Sequence, residues 1–280
     1  MIIKLGSKRK FIYRSAEWIY LFAGSTASAL TWLIGVEKDE EWLAGRTLIW
    51  AIIEKLQSYA IYLYILLAII VVICLVVKRW GDPWVIEKIQ FILDGYQDKV
   101  FSASRAPRDH NRVTLFKHHK SCLLKRHWTA TSPLKPWGDR KPFSEYLVPY
   151  LRSGHLAQKT GAIFYVDSNN SERTEGVAGM AWSQRQVAHL PDLPEVVAAT
   201  GKRIKKQYAT ATKCDVKLMD KYLSEGRQPP RSIAAIPIEC HGKLWGVIVL
   251  DSRDPLGVTE ESIQNYTLTV ALIGQLLERV

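Results

Sequence analysis

The sequence predicts an α+β domain with a central, mostly antiparallel sheet, preceded by a two-helix transmembrane hairpin. Three observations predict it. Tyr59 to Val77 is an uncharged run of the length that spans a bilayer as a helix. Ser232 to Ile238 and Lys243 to Asp251 are β-rich runs separated by Glu239-Cys240-His241-Gly242, which reads as a hairpin. From Val85 to the end, helical and strand-like patterns alternate in the order of a sheet flanked by helices.

At 1.5 Å rise per residue, about 20 apolar residues cross a hydrocarbon core about 30 Å thick. Tyr59 to Val77 (YAIYLYILLAIIVVICLVV) has no charge and no polar face, and a helix pairs its own backbone groups as lipid demands. Ala16 to Val36 is the companion span, with Glu17 at its edge and small residues from Gly24 to Ala29 that permit close helix approach. A retained helix is expected rather than a signal peptide, because the segment is long and the acidic stretch after it offers no small-residue cleavage site.

Charge sets the orientation. Lys4, Lys8, Arg9, Lys10 and Arg14 precede the first span, Lys78 and Arg79 follow the second, and the loop begins Glu37-Lys38-Asp39-Glu40-Glu41. Both termini are therefore expected in the cytoplasm, with the chain multi-pass in a bacterial inner membrane. Trp42 to Ser58 is amphipathic; lying in the outer interface and extending the second helix both remain open. The expected divisions are a basic tail (1–15), a first span (16–36), an external loop or interfacial helix (37–58), a second span (59–77) and a cytoplasmic domain (85–280).

The 280 residues carry a formal charge of +11, clustered at Lys8 to Lys10, around Lys117 to Arg126, and at Lys202 to Lys206. Beside a membrane anchor, this charge reads as a solvated or lipid-facing surface, and no nucleic-acid polymer is expected as partner. Cys74, Cys122, Cys214 and Cys240 are widely spaced and form no CxxC pair, which suits a reducing compartment.

Within the cytoplasmic part, Val85, Ile89, Ile92 and Leu93 fall at helical spacing over Val85 to Val100, with Pro83 suited to the first turn. A strand is expected at Arg112 to Phe116, then a basic, Pro- and Trp-rich surface excursion from His118 to Ser144. Leu147 to Leu151 and Ala162 to Val166 read as strands. Gly176 to Trp182 reads as a small-residue helix packed tightly on a sheet, and Arg185 to His189 as a strand ending at Pro191-Asp192-Leu193-Pro194. A closing helix is expected from an N-cap at Thr259 to Val280, favoured by Glu260 and Glu261 at its positive end.

Three stretches resemble the GAF domain family: Glu175 to Pro194 (EGVAGMAWSQRQVAHLPDLP), Ser232 to Ser252 (SIAAIPIECHGKLWGVIVLDS) and Val258 to Val280 (VTEESIQNYTLTVALIGQLLERV). The resemblance implies a six-stranded sheet flanked by helices, covering about residues 85 to 280. It implies a binding module rather than an enzyme, since relatives bind cyclic nucleotides, tetrapyrroles, haem or small metabolites. Neither a bilin-attachment cysteine motif nor the signature of the phosphodiesterase-type cyclic-nucleotide domains is recognisable. No kinase, cyclase or phosphodiesterase segment follows the closing helix, so output is expected through the membrane helices, a protein partner or a dimer.

His118, His119, Cys122 and His127 form the most metal-like cluster, but Lys117, Lys120, Lys125 and Arg126 among them would oppose a cation, and no metal is expected. No catalytic set is expected either: there is no GxSxG elbow and no GxxxxGK[ST] loop, and Ser183 lacks the strand-turn-helix setting of a nucleophile. Family geometry points to a ligand pocket at Tyr165, Asp167, Trp182, Asp192, Arg231 and Ser232, where an arginine would pair with an anion and an aromatic ring would stack. The plainer reading stays open: Tyr165 and Trp182 fill core, and Arg231 is a surface cation.

Ile263, Tyr266, Val270, Ile273 and Leu277 share one helical stripe, and pairing of two copies through leftover apolar surface is expected. The function expected is a membrane-anchored sensor or effector binding a small anionic or nucleotide ligand that alters transmembrane-helix association. One version is a nucleotide-triggered membrane effector in bacterial defence. The alternative is a ligand-free dimeric scaffold recruiting a protein partner to the membrane.

Overall fold

The structure, a computed structural model, describes all residues except 1–6, 41–42, 44, 79–80, 103, 105–106, 108–109, 121–142, 154–161, 169, 266 and 279–280. It divides into two compact units, one running to Glu87 and one over Lys88–Glu278.

In the first unit, α1 (Ser7–Ile34), α2 (Thr47–Ser58) and α3 (Ala60–Lys78) are helical. Among the described residues, α3 is the element long and apolar enough to cross a membrane by length and composition. Its large side chains face outward, with Ile61 at 73% and Val72 at 59% exposure. The first expected span is a helix but does not reach that apolarity, because Ser25, Thr26, Ser28 and Thr31 dilute it. Ser25 and Ser28 donate back to the Phe22 and Gly24 carbonyls at 3.0 and 3.1 Å, hiding hydroxyls a lipid surface would penalise. The Thr31 and Tyr64 hydroxyls meet at 2.7 Å, and Gln57 Nε2 donates to the Leu33 and Val36 carbonyls at 3.0 Å each. Helix α2 stops at Tyr59, which caps it and separates it from α3.

The second unit contains most of α4 (Pro83–Val100), which begins at the expected proline. Strands β1 (Asn111–His119), β2 (Glu145–Ser153), β3 (Phe164–Val166), β4 (Ala188–Leu190), β5 (Ser232–Cys240) and β6 (Lys243–Ser252) form a sheet in the order β3-β2-β1-β6-β5-β4. Every neighbouring pair is antiparallel. Strand β1 runs on through His118 and His119, so the basic excursion does not begin at His118; residues 121–142 lie outside the described ones. Strand β4 is shorter than expected because Arg185 takes the left-handed conformation (φ 53°) that ends the preceding helix. The hairpin turn is two residues rather than four: His241 (φ 52°) and Gly242 (φ 69°) both adopt the positive φ of a type I′ turn.

Helix α5 (Gly176–Gln184) lies flat on one sheet face with Gly176 to Gly179, Ala181 and Trp182 buried, as its small residues allow. Gly179 sits close to the Tyr165 carbonyl, and a Cβ there would press on Thr174. On this face Phe116, Leu147, Ala181, Trp182 and Val247 form one apolar cluster. Two helices lie outside the elements expected from the sequence: α6 (Lys202–Thr212) and α7 (Val216–Ser224). Helix α6 (KRIKKQYATAT) carries so many cations that its narrow buried stripe, Tyr208, Ala209 and Thr212, is masked in the pattern. The opposite sheet face buries Val113, Leu115, Ile248 and Leu250. There, α9 (Thr267–Leu277) packs on β5 with Gly274 against Glu239 and Ile238. It follows α8 (Glu260–Asn265), whose cap is the expected Thr259: its Oγ1 accepts the Ser262 N–H at 3.1 Å. Of the expected closing stripe, Ile263, Val270, Ile273 and Leu277 are buried; residue 266 lies outside the described ones.

Candidate ligand-binding site

Cross-strand partners project from the same sheet face. Register sets Thr114 of β1 opposite Arg152 of β2 on one side and Val249 of β6 on the other. The next row sets Arg112 opposite Asp251, and Asp251 opposite Ile233 of β5. These two rows floor a cavity of about 150 Å³. Helices α6 and α7 contribute Tyr208, Thr212, Met219 and Tyr222 to its walls, and Pro229 and Pro230 line it from the segment before β5. Phe164, Val177 and Ala178 close it from the β3 and α5 side.

Charge is distributed unevenly there. Arg112 is neutralised locally, with Nε and Nη2 both on Asp251 Oδ1, and both side chains largely buried. Arg227, half exposed, has Nη1 3.4 Å from Glu225 Oε2. Arg152 has no hydrogen-bond or ion-pair partner for its guanidinium among the described residues, and its Nε is buried. Burial lowers its pKa from the ordinary guanidinium value, the attraction of Asp251 opposes that, and the neighbouring charge of Arg112 adds to the lowering. The group nevertheless stays charged at neutral pH. A half-buried cation whose Nε is shut off without a partner is costly, and an anion entering the cavity would supply the partner that the fold withholds.

The other titratable walls are neutral. Burial pushes the Tyr208 phenol well above 10, and its hydroxyl donates to the Pro230 carbonyl at 2.8 Å. Burial also raises Tyr222, against the pull of Arg112, and raises the Cys214 thiol, against a hydrogen bond with Thr212. The cavity thus presents one guanidinium without a bonded counter-charge, on a floor it shares with the Arg112–Asp251 pair and beside largely apolar walls, an arrangement with the chemistry to accept a small anion.

The strand carrying Arg152 is held from behind by α4. Gln90 Nε2 donates to the Arg152 carbonyl at 3.1 Å and to Asp94 Oδ1 at 3.0 Å, and the Ser153 hydroxyl donates to Asp94. Gln97 Nε2 donates to the Asn111 carbonyl at 3.3 Å, one residue before Arg112.

The six residues expected to line a pocket fall in three places, and none lines this cavity. Tyr165 packs edge-on to Tyr146, with ring centroids 5.8 Å apart, and its backbone N–H donates to Glu175 at 3.1 Å. Asp167 begins a turn, accepting from the Asn170 N–H at 3.2 Å. Trp182 is buried and stacks on His118, centroids 4.3 Å apart. Asp192, Arg231 and Ser232 do come together, at the edge where β4 meets β5. Arg231 donates to the Leu193 carbonyl at 3.3 Å and lies 3.4 Å from Asp192, while the Ser232 hydroxyl donates to the Asp254 carbonyl at 2.7 Å. Asp192 adopts φ 49°, a conformation its short polar side chain tolerates. This corner spends its polar groups on its own loops.

Sequence reasoning missed Arg112, Thr114, Arg152 and Asp251. A signal was present: alternation along Arg112-Val113-Thr114-Leu115-Phe116 puts a cation, a hydroxyl and an aromatic on one face of a strand buried on both sides.

Residues 145–277 match the family described as GAF domain. This stretch is a GAF domain. Strand β1, with Arg112 and Thr114, precedes the matched residues yet sits in the middle of the domain's sheet. Solved structures similar to the chain are distant. The GAF domain region of a Geobacter sulfurreducens PCA protein is 14% identical over 70% of this chain and 97% of that one, with a TM-score of 0.37. An NreA protein of Staphylococcus aureus, mutated in its nitrate binding site, is 16% identical over 64% and 92%, with a TM-score of 0.33. The free methionine-R-sulfoxide reductase of Neisseria meningitidis is 15% identical over 69% and 79%, with a TM-score of 0.31. No curated protein matches the chain.

Proposed function

We propose that this protein is a membrane-anchored sensor whose GAF domain binds a small anionic ligand in the Arg112–Arg152–Asp251 cavity. The observation that carries the reading is Arg152, a guanidinium in a cavity wall whose buried Nε has no partner. In this reading α1 and α3 cross the membrane as a hairpin with both termini cytoplasmic, supported by the outward apolar side chains of α3 and the acidic loop between the helices. Helix α4 is the output element: it continues from the apolar helices in sequence and is bonded to the backbone carbonyls of Arg152 and of Asn111, next to Arg112. Ligand occupancy shifts the association of the membrane helices only by its differential affinity for the two states. Pairing of two copies fits this output, because Phe91 on α4 and Leu268 on α9 are 72% and 85% exposed. The protein has no catalytic role in this reading.

The test is thermal unfolding of the detergent-solubilised full chain against a panel of anions, for the unmodified protein and Arg152→Gln. A stabilisation that vanishes in the variant supports the reading; no stabilisation by any anion overturns it. Protease protection in spheroplasts checks the orientation: cleavage of the GAF domain from outside would refute a cytoplasmic sensor.

A further inference from the structure

From the cavity's size, charge and lining, and resting on the anion-binding reading above, we infer that the ligand is a monocarboxylate with a compact apolar body of about the size of a benzene ring. Three observations converge on it. The first is charge. Arg112 is spent on Asp251, and Arg227 lies at the rim beside Glu225, so Arg152 alone asks for a counter-charge. One unpaired cation matches one negative charge. A second anionic group would face the Asp251 carboxylate on the same floor.

The second observation is volume. About 150 Å³ is the size of cavity that takes benzene. A nucleotide or a tetrapyrrole is several times larger. The third is the lining. Away from the arginines, Phe116, Phe164, Val177, Met219, Ile233 and Val249 make much of the wall apolar, and few polar groups, among them Thr114, Thr212 and Gln228, interrupt it. A bare inorganic anion would leave that apolar volume unfilled, and a neutral aromatic would leave Arg152 unpaired. A carboxylate matches the planar guanidinium fork and brings its own apolar remainder to the wall. Tyr208 and Tyr222, both protonated at neutral pH, stand in the same wall and restrict the size of that remainder.

The experiment is isothermal titration of the full chain in detergent with benzoate, benzamide, phthalate, nitrate and cyclic GMP. Benzoate is expected to bind at least 30-fold more tightly than benzamide and phthalate, and its affinity to fall by a similar factor in Arg152→Gln, with partial recovery in Arg152→Lys. The benzoate-to-benzamide ratio in the unmodified protein stands even if the variants fold poorly. Equal binding of benzoate and benzamide overturns the inference. Binding of nitrate or cyclic GMP in place of benzoate, lost in Arg152→Gln, overturns it too but leaves the anion-sensing function standing. Absence of binding by every anion overturns both.

Discussion

Two arginine sites on the same sheet behave in opposite ways. Arg231, leading into β5, is saturated by the Leu193 carbonyl and Asp192 and lies partly in solvent. Arg152, on β2, is half-buried with its Nε shut off from solvent, and its guanidinium has no partner among the described residues. The first closes a corner; the second is left without a bonded counter-charge. An arginine's place just before a strand or near the end of one therefore says little about its use. What decides is whether the fold hands it a carboxylate.

The contrast can be broken by substitution. The largest effect is expected from Asp251→Ala, which strands Arg112 beside Arg152 with no counter-charge. Breaking a buried pair on one side costs about 3–5 kcal/mol, so thermal unfolding should move down by roughly 10 °C. An unchanged Tm would mean that water already screens the cavity floor. Next comes Ser232→Ala in the corner, which removes the hydroxyl that donates to the Asp254 carbonyl and accepts from the Val258 N–H. A loss of about 1–3 kcal/mol is expected, with anion affinity untouched. A change in affinity would show that the corner and the cavity are coupled.

A pH effect distinguishes Trp182 as core from Trp182 as ligand platform. Its stacking partner His118 has its pKa lowered by burial, against the attraction of Glu145. The folded state thus takes this proton at lower pH than the unfolded chain, whose histidine titrates near 6.5. The stabilisation is complete above about pH 6.5 and is lost as pH falls through the folded value. The Tm of the unmodified protein should drop on acidification from pH 7 to 5 more steeply than that of His118→Gln; parallel curves would refute the assignment. The smallest effect is expected from Arg231→Ala. Its pair with Asp192 is partly solvated, so a loss of at most about 1 kcal/mol should be read by thermal unfolding. A larger loss would erase the distinction between the two sites.

Much of the fold was legible because it rests on short-range pattern. The uncharged run of α3, the small residues of α5, the β-rich composition of β5 and β6 and the Thr259 cap all report on neighbours a few residues apart. Helix α6 was not legible, since its cations outnumber the three side chains it buries. The expected pocket mixed two kinds of residue: Trp182 and Tyr165, whose aromatic rings are packed within the protein, and Asp192, Arg231 and Ser232, which bond one another's loops.

By itself, the sequence determined most of the helices and strands, though not α6 and α7, and that one helix is apolar enough for a bilayer. Only the tertiary structure decided which cation is satisfied. Arg112 meets Asp251 across 139 residues of chain, and Arg152 is left over because the register of β1 between β2 and β6 gives that carboxylate to its neighbour. Periodicity is a property of adjacent residues, whereas charge pairing depends on which distant strands lie side by side.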